Sequence, residues 1–116
     1  MTLKIIEPQI FPKDKITAGV VTKNEALNPP SGLSFSATDY IPQSEVEKAH
    51  DLLAEYLSVE ISALRFQHQV HSDHIQIVDF STGYNESDGM ITNLPGFVLN
   101  VKLADCAGVL VYDPQN

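Results

Sequence analysis

Ser44-Glu45-Val46-Glu47-Lys48-Ala49-His50-Asp51-Leu52-Leu53-Ala54-Glu55-Tyr56-Leu57 is the clearest periodic run in the chain, and its reading decides the fold class. Val46, Ala49, Leu53 and Leu57 recur at helical spacing and so share one face. Leu52 and Tyr56 widen that stripe, while Glu45, Glu47, Asp51 and Glu55 point elsewhere. Ser44 followed by Glu47 has the S-x-x-E pattern of a capping box, so the helix is expected to start at Ser44. Acids near its first turn suit the helix dipole. Nothing on this helix is chemically suggestive; it is a core helix.

Outward from the helix the periodicity changes. Before it, Leu3 to Ile6 is short and apolar. Ile16 to Thr22 has strand composition, Asn28-Pro29-Pro30-Ser31-Gly32 is a loop, and Leu33 to Tyr40 is irregular or a short strand. After it, Leu64 to Val70, Ile75 to Phe80, Phe97 to Val101 and Gly108 to Tyr112 all have strand composition, and Gly89 to Thr92 is a short apolar piece. Ser81 to Ser87 and Leu94-Pro95-Gly96 separate them as turns. The run Gly-Val-Leu-Val-Tyr at 108–112 has the composition of a strand buried on both faces. One helix amid several strands is an α+β or mixed α/β arrangement. The chain ends just beyond Asp113-Pro114, where a buried strand would still lack cover, so the domain is expected to be incomplete in these 116 residues.

Composition excludes several classes. Hydrophobic residues make up 43% and charged residues 19%, the profile of one globular domain. Acidic side chains outnumber basic ones by 15 to 7, for a net charge of −8. No basic footprint for nucleic acid or an anionic membrane is present. The single cysteine excludes an internal disulfide. No signal peptide pattern or run of about 20 apolar residues occurs, and a reducing cytoplasm is the expected location.

Three of the four histidines, His68, His71 and His74, fall within seven residues. On a strand His68 and His74 would share one face and His71 the other. That is not a simple three-histidine cluster, and partly exposed histidines on a strand and its turn explain it as well. Cys106, within Ala104-Asp105-Cys106-Ala107-Gly108, is a small buried hydrophobe or a nucleophile paired with a distant histidine. Asp88 and Asp105 are turn formers or acceptors that orient a metal-bound histidine. Lys23, after the Ile16 to Thr22 run, is a solvated lysine or an anion-binding one.

Taken together, Gln69-Val70-His71-Ser72, Asp88-Gly89-Met90-Ile91-Thr92, Leu94-Pro95-Gly96 and Ala104-Asp105-Cys106 with Val109-Leu110 and Asp113-Pro114 resemble the YfiH family. Its members have long been labelled multicopper polyphenol oxidases or laccase-domain proteins. The resemblance runs from Ile16 to Pro114. It implies a mixed α/β sandwich related to the catalytic domain of cytotoxic necrotising factors. It also implies a His-Cys-His site for one metal, generally zinc, with His71 and Cys106 as two of its ligands and as catalytic residues. The third ligand of the family lies in a His-x-Gly-Trp-Arg segment absent from this sequence, whose fourth histidine is His50. Ser72 stands where the family usually has Gly, and Gly108 where it has Pro. Thr22-Lys23-Asn24-Glu25 replaces a Thr-Thr-Arg segment followed by two glycines.

The activity implied is zinc-dependent purine nucleoside phosphorolysis with adenosine deamination. Purine nucleosides and phosphate are the partners. The alternatives are a peptidoglycan-precursor editing hydrolase, a copper polyphenol oxidase, and a non-catalytic fragment that self-associates or joins a C-terminal portion. A multicopper oxidase needs many more histidines than four.

Overall fold

The Gln43–Leu57 helix, α1, buries Val46, Ala49 and Leu53 of the expected stripe together with Ala54, while Leu57 is half-buried and Tyr56 is exposed. The computed structural model describes residues 3–24 and 32–115; positions 28–31 of the expected loop lie outside them. α1 starts one residue before the expected Ser44, and the capping box does not form. Pro42 is the N-cap residue, with φ −71° and ψ 159°, and no side chain caps the helix. Its ring fixes φ near this value, so the chain enters the helix directly at Gln43. Ser44 then lies inside the first turn. The helix ends at Ser58, whose left-handed backbone (φ 56°) lets its N–H reach the Ala54 and Glu55 carbonyls.

Among the described residues six short strands accompany α1. β1 (Ile5–Ile6) pairs antiparallel with β2 (Val20–Val21), placing Ile5 opposite Val21. After a 3-10 turn at Ile61–Ala63, β3 (Leu64–Arg65) pairs parallel with β6 (Val98–Leu99). β4 (Ile75–Ile77) pairs parallel with β5 (Gly89–Ile91). Ile75 faces Gly89, where an added Cβ would stand 3.0 Å from the Ile75 side chain, so the missing side chain admits the isoleucine. The Leu94-Pro95-Gly96 turn is present, with Gly96 at φ 91°.

The core joins α1 to the β1–β2 and β3–β6 pairs. Leu3, Leu53, Ala54 and Leu64 are buried together, and Ile5, Val21, Leu33, Phe35, Leu57, Phe66 and Val98 pack around them. Burial of each leucine is worth about 1.5–3 kcal/mol. α1 is therefore held over the β1–β2 and β3–β6 pairs. The result is a small mixed helix-and-strand fold of α+β type.

Two expectations fail. The runs Ile16 to Thr22, Leu64 to Val70, Ile75 to Phe80 and Phe97 to Val101 form strands of only two or three residues. The Gly108 to Tyr112 run forms no strand among the described residues, and Val109 and Val111 are 82% and 85% exposed. Strand composition expresses fitness for a pleated, half-buried surface; it does not supply a neighbouring backbone. Among the described residues no element pairs with 108–112. β4 reverses the usual order: Gln76 is buried while Ile75 and Ile77 face outward.

Candidate functional site

The segment between β3 and β4 departs from β3 and runs beside the segment leading into β5. The His68 N–H donates to the Asn85 carbonyl at 2.8 Å, and the Ser87 N–H donates to the His68 carbonyl at 3.1 Å. Between these bonds the Ser87 hydroxyl donates to Gln67 Oε1 at 2.7 Å, with both side chains fully buried. This sets the register in which Asp88 meets the following turn.

At that turn Val70, His71 and Ser72 all direct backbone N–H groups at the Asp88 carboxylate. Oδ1 accepts from Val70 (3.0 Å) and from both the N–H and the hydroxyl of Ser72 (2.9 Å each). Oδ2 accepts from the His71 N–H at 3.0 Å. His71 has φ 60°. The Ser72 N–H, the Val70 and His71 N–H groups and the Ser72 hydroxyl favour the ionised carboxylate. They outweigh the opposing desolvation and hold its pKa down to about 2. The expected strand does not continue through His71, so face alternation does not govern the three histidines. The chain bends around Asp88 instead, and His68, His71 and His74 are all exposed. His68 lies tilted against Tyr84, with ring centroids 6.0 Å apart.

A second clasp joins this turn to the segment carrying the cysteine. Gln69 Nε2 donates to the Lys102 carbonyl and the Lys102 N–H donates to Gln69 Oε1, both at 2.8 Å. The Asn100 N–H likewise donates to the Arg65 carbonyl at 3.0 Å, extending the β3–β6 pairing toward the clasp. Four residues beyond Lys102, Cys106 is an exposed free thiol, and Asp105 beside it is exposed too. Lys23 follows β2, its carbonyl accepting the Leu33 N–H at 2.8 Å. The structure thus brings Asp88 against the His71 turn and ties that turn to the Cys106 segment. Gln69 and Ser72 carry this work, and periodicity gives no sign of it; the only hint is an amide placed beside His71.

The family described as multi-copper polyphenol oxidoreductase laccase matches residues 18–116. The chain belongs to this family. Among curated proteins this laccase-domain chain is similar to purine nucleoside phosphorylases of Mycobacterium bovis and of two Mycobacterium tuberculosis strains. Each is 26% identical over 105 residues, a match covering 87% of this chain and 42% of the relative. The chain therefore spans less than half the length of these relatives. No solved structure matches it significantly. Among the described residues no helix is long and apolar enough to cross a membrane.

For a metal, the donor types in this laccase-domain chain fit and the donor number does not. An imidazole at His71 and a thiol at Cys106 suit zinc, which in catalytic sites takes three protein ligands and leaves a fourth position open. Among the described residues no group of three or more His, Cys, Asp or Glu side chains stands together to hold an ion. Asp88 is also not simply an acceptor for the His71 ring, since its oxygens are engaged by backbone N–H groups and the Ser72 hydroxyl.

Proposed function

We propose that this chain forms the N-terminal portion of a zinc-dependent enzyme that cleaves purine nucleosides with phosphate and also deaminates adenosine. In this reading His71 and Cys106 are two of three metal ligands, and the third comes from polypeptide outside this sequence. The observation that carries it is the Gln69–Lys102 clasp, which ties the His71 turn to the segment leading to Cys106. Phosphorolysis joins a phosphate oxygen to the ribose carbon as the carbon–nitrogen bond to the purine breaks, and the purine nitrogen takes a proton. A bound zinc would supply polarisation of a leaving group or activation of an oxygen nucleophile. The chain's own contribution is to hold and orient donors. Asp105 would act as an acceptor beside Cys106, and Lys23 would bind anion. A cytoplasmic location suits a free, exposed thiol.

The test is metal content and phosphate-dependent purine release, measured on this chain and on a longer one. Cys106→Ala should abolish zinc binding, whereas His68→Ala should leave it nearly unchanged. Equal losses in the two variants would show that the wrong histidine has been chosen.

One observation favours a second reading, of a non-catalytic piece that acts only in association. Ile75, Ile77, Val109 and Val111 are each more than 60% exposed, an unusual outlay of large aliphatic surface for a small monomer. Sedimentation of the isolated chain as a stable oligomer without zinc or turnover would support it.

A further inference from the structure

Three non-glycine residues among those described have positive φ: Asn24, Ser58 and His71. Two have local reasons. Asparagine tolerates the left-handed region, and Ser58 closes a helix. His71 ends no helix, and its Cβ makes the left-handed region sterically unfavourable. Histidine too is enriched in the left-handed region, but here the convergence of three backbone N–H groups on one carboxylate gives the turn a further hold.

The Asp88 carboxylate supplies that hold. Successive backbone N–H groups converge on an anion when the chain curls into a nest or a turn, and the N–H groups of residues 70, 71 and 72 do so here, with His71 left-handed. Asp88 is itself anchored, because its N–H donates to the His74 carbonyl at 2.9 Å just ahead of the β4–β5 ladder. The carboxylate is therefore a wedge fixed to β5 and inserted into the turn.

We infer that Asp88 is a positioning residue. By filling the nest of residues 70–72, it locks His71 in the left-handed conformation and so sets the direction in which the imidazole leaves the backbone. It acts through the main chain and not through a bond to the ring. The lock's importance for metal binding rests on the proposed reading of His71 as a ligand; the lock itself does not.

The two oxygens of Asp88 divide the work, and this makes the lock separable from the turn. Oδ1 takes three bonds from Val70 and Ser72, while Oδ2 takes the one from His71. In Asp88→Asn the amide oxygen belongs on the Oδ1 side, where it keeps three bonds. The NH2 group then faces the His71 N–H, donor against donor. The opposite orientation would set the NH2 group against the Val70 and Ser72 N–H groups, two fixed donors in place of one. Asp88→Asn should therefore release His71 and spare its neighbours, and Asp88→Ala should loosen all three residues.

The experiment uses the full 116-residue chain, isotope-labelled, with NMR couplings and intraresidue amide–Hα cross-peaks reporting the φ of His71, and cobalt(II) titration as a second readout. The wild-type chain should show the left-handed signature at His71. Asp88→Asn should lose it there while the Val70 and Ser72 amide signals persist, and cobalt affinity should fall roughly 10–100-fold. A left-handed His71 retained in Asp88→Asn overturns the inference. A released His71 with undiminished cobalt affinity, in a chain whose wild type binds the ion, supports the lock and overturns the ligand reading of His71. A wild-type chain that binds no cobalt likewise overturns the ligand reading of His71, and the NMR result then decides the lock by itself. If Asp88→Asn fails to fold, adding His71→Gly should restore the fold, since glycine enters the left-handed region without steric conflict. A double variant that stays unfolded also overturns the inference.

Discussion

Replacing Ser87 by alanine should destabilise the chain by about 1–3 kcal/mol, and replacing Gln67 by methionine at the same time should recover most of that loss. The Ser87 hydroxyl donates to Gln67 Oε1 at 2.7 Å, and both residues are 0% exposed. Among the described residues Gln67 Nε2 already lacks a partner. Ser87→Ala alone would leave both polar atoms of a buried amide unsatisfied. Gln67→Met alone would orphan the serine hydroxyl but remove the unpaired Nε2, so its cost should be smaller. With both changes the pocket is apolar and of similar volume, and the net change should approach zero or become favourable. The departure from additivity is then on the order of the single serine penalty. Urea denaturation reads this directly. At a slope of roughly 1–3 kcal/mol per molar, Ser87→Ala should lower the midpoint by about 1 M, and the double variant should return near the wild type. A double variant that loses the sum of the two single penalties would refute the reasoning. Hydrogen exchange adds a second check. If this bond also fixes register, the His68 and Ser87 amides should exchange faster in the double variant even at restored stability, because their ladder to Asn85 and His68 has lost its side-chain pin.

His50 stacks on Phe66 at 4.6 Å and lies 5.9 Å from Phe35. Burial, aided by Lys102 and opposed by Asp51 and Glu47, lowers its pKa. The unfolded chain then binds the proton more readily than the folded one. Stability from this group is complete above about pH 6.5 and falls as pH drops toward the lower folded value. Thermal melts from pH 7.5 to 5 should show that decline, and His50→Phe should reduce it. Ser44→Ala should change stability by less than about 0.5 kcal/mol, because no cap is lost; a working cap would cost about 1 kcal/mol, and the same melts distinguish the two.

The helix was legible because its stripe depends only on its own residues: Val46, Ala49 and Leu53 lie on one face wherever the helix packs. Its start was not, because Pro42 competes with Ser44 for the N-terminus and wins by backbone preorganisation. Strand extents were harder still. Val20–Val21 and Leu64–Arg65 pair because β1 and β6 lie beside them, and Gly108 to Tyr112 does not pair because among the described residues no strand lies beside it. Motif order marked His71, Cys106 and Asp88 as the positions to examine. It could not show that Asp88 engages the backbone, since a carboxylate bonded to three amides and one bonded to an imidazole are the same letter in a sequence.

The two proposed ligands, His71 and Cys106, are held to very different degrees, and this bears on what a metal would have to do. His71 lies in a turn fixed from two sides, by the Asp88 carboxylate and by Gln69 bonded to Lys102. Cys106 lies on an exposed segment that forms no strand, four residues beyond that clasp. Ordering a free segment costs about 1–2 kcal/mol per residue in backbone entropy. On the proposed reading, a metal bound by both residues would lose part of its affinity in ordering the approach to Cys106. Polypeptide that paired with Gly108 to Tyr112 would order that segment beforehand, remove this cost, and bury Val109 and Val111 in the same step. On the proposed reading, one added surface would supply both the third ligand and the cover for Val109 and Val111.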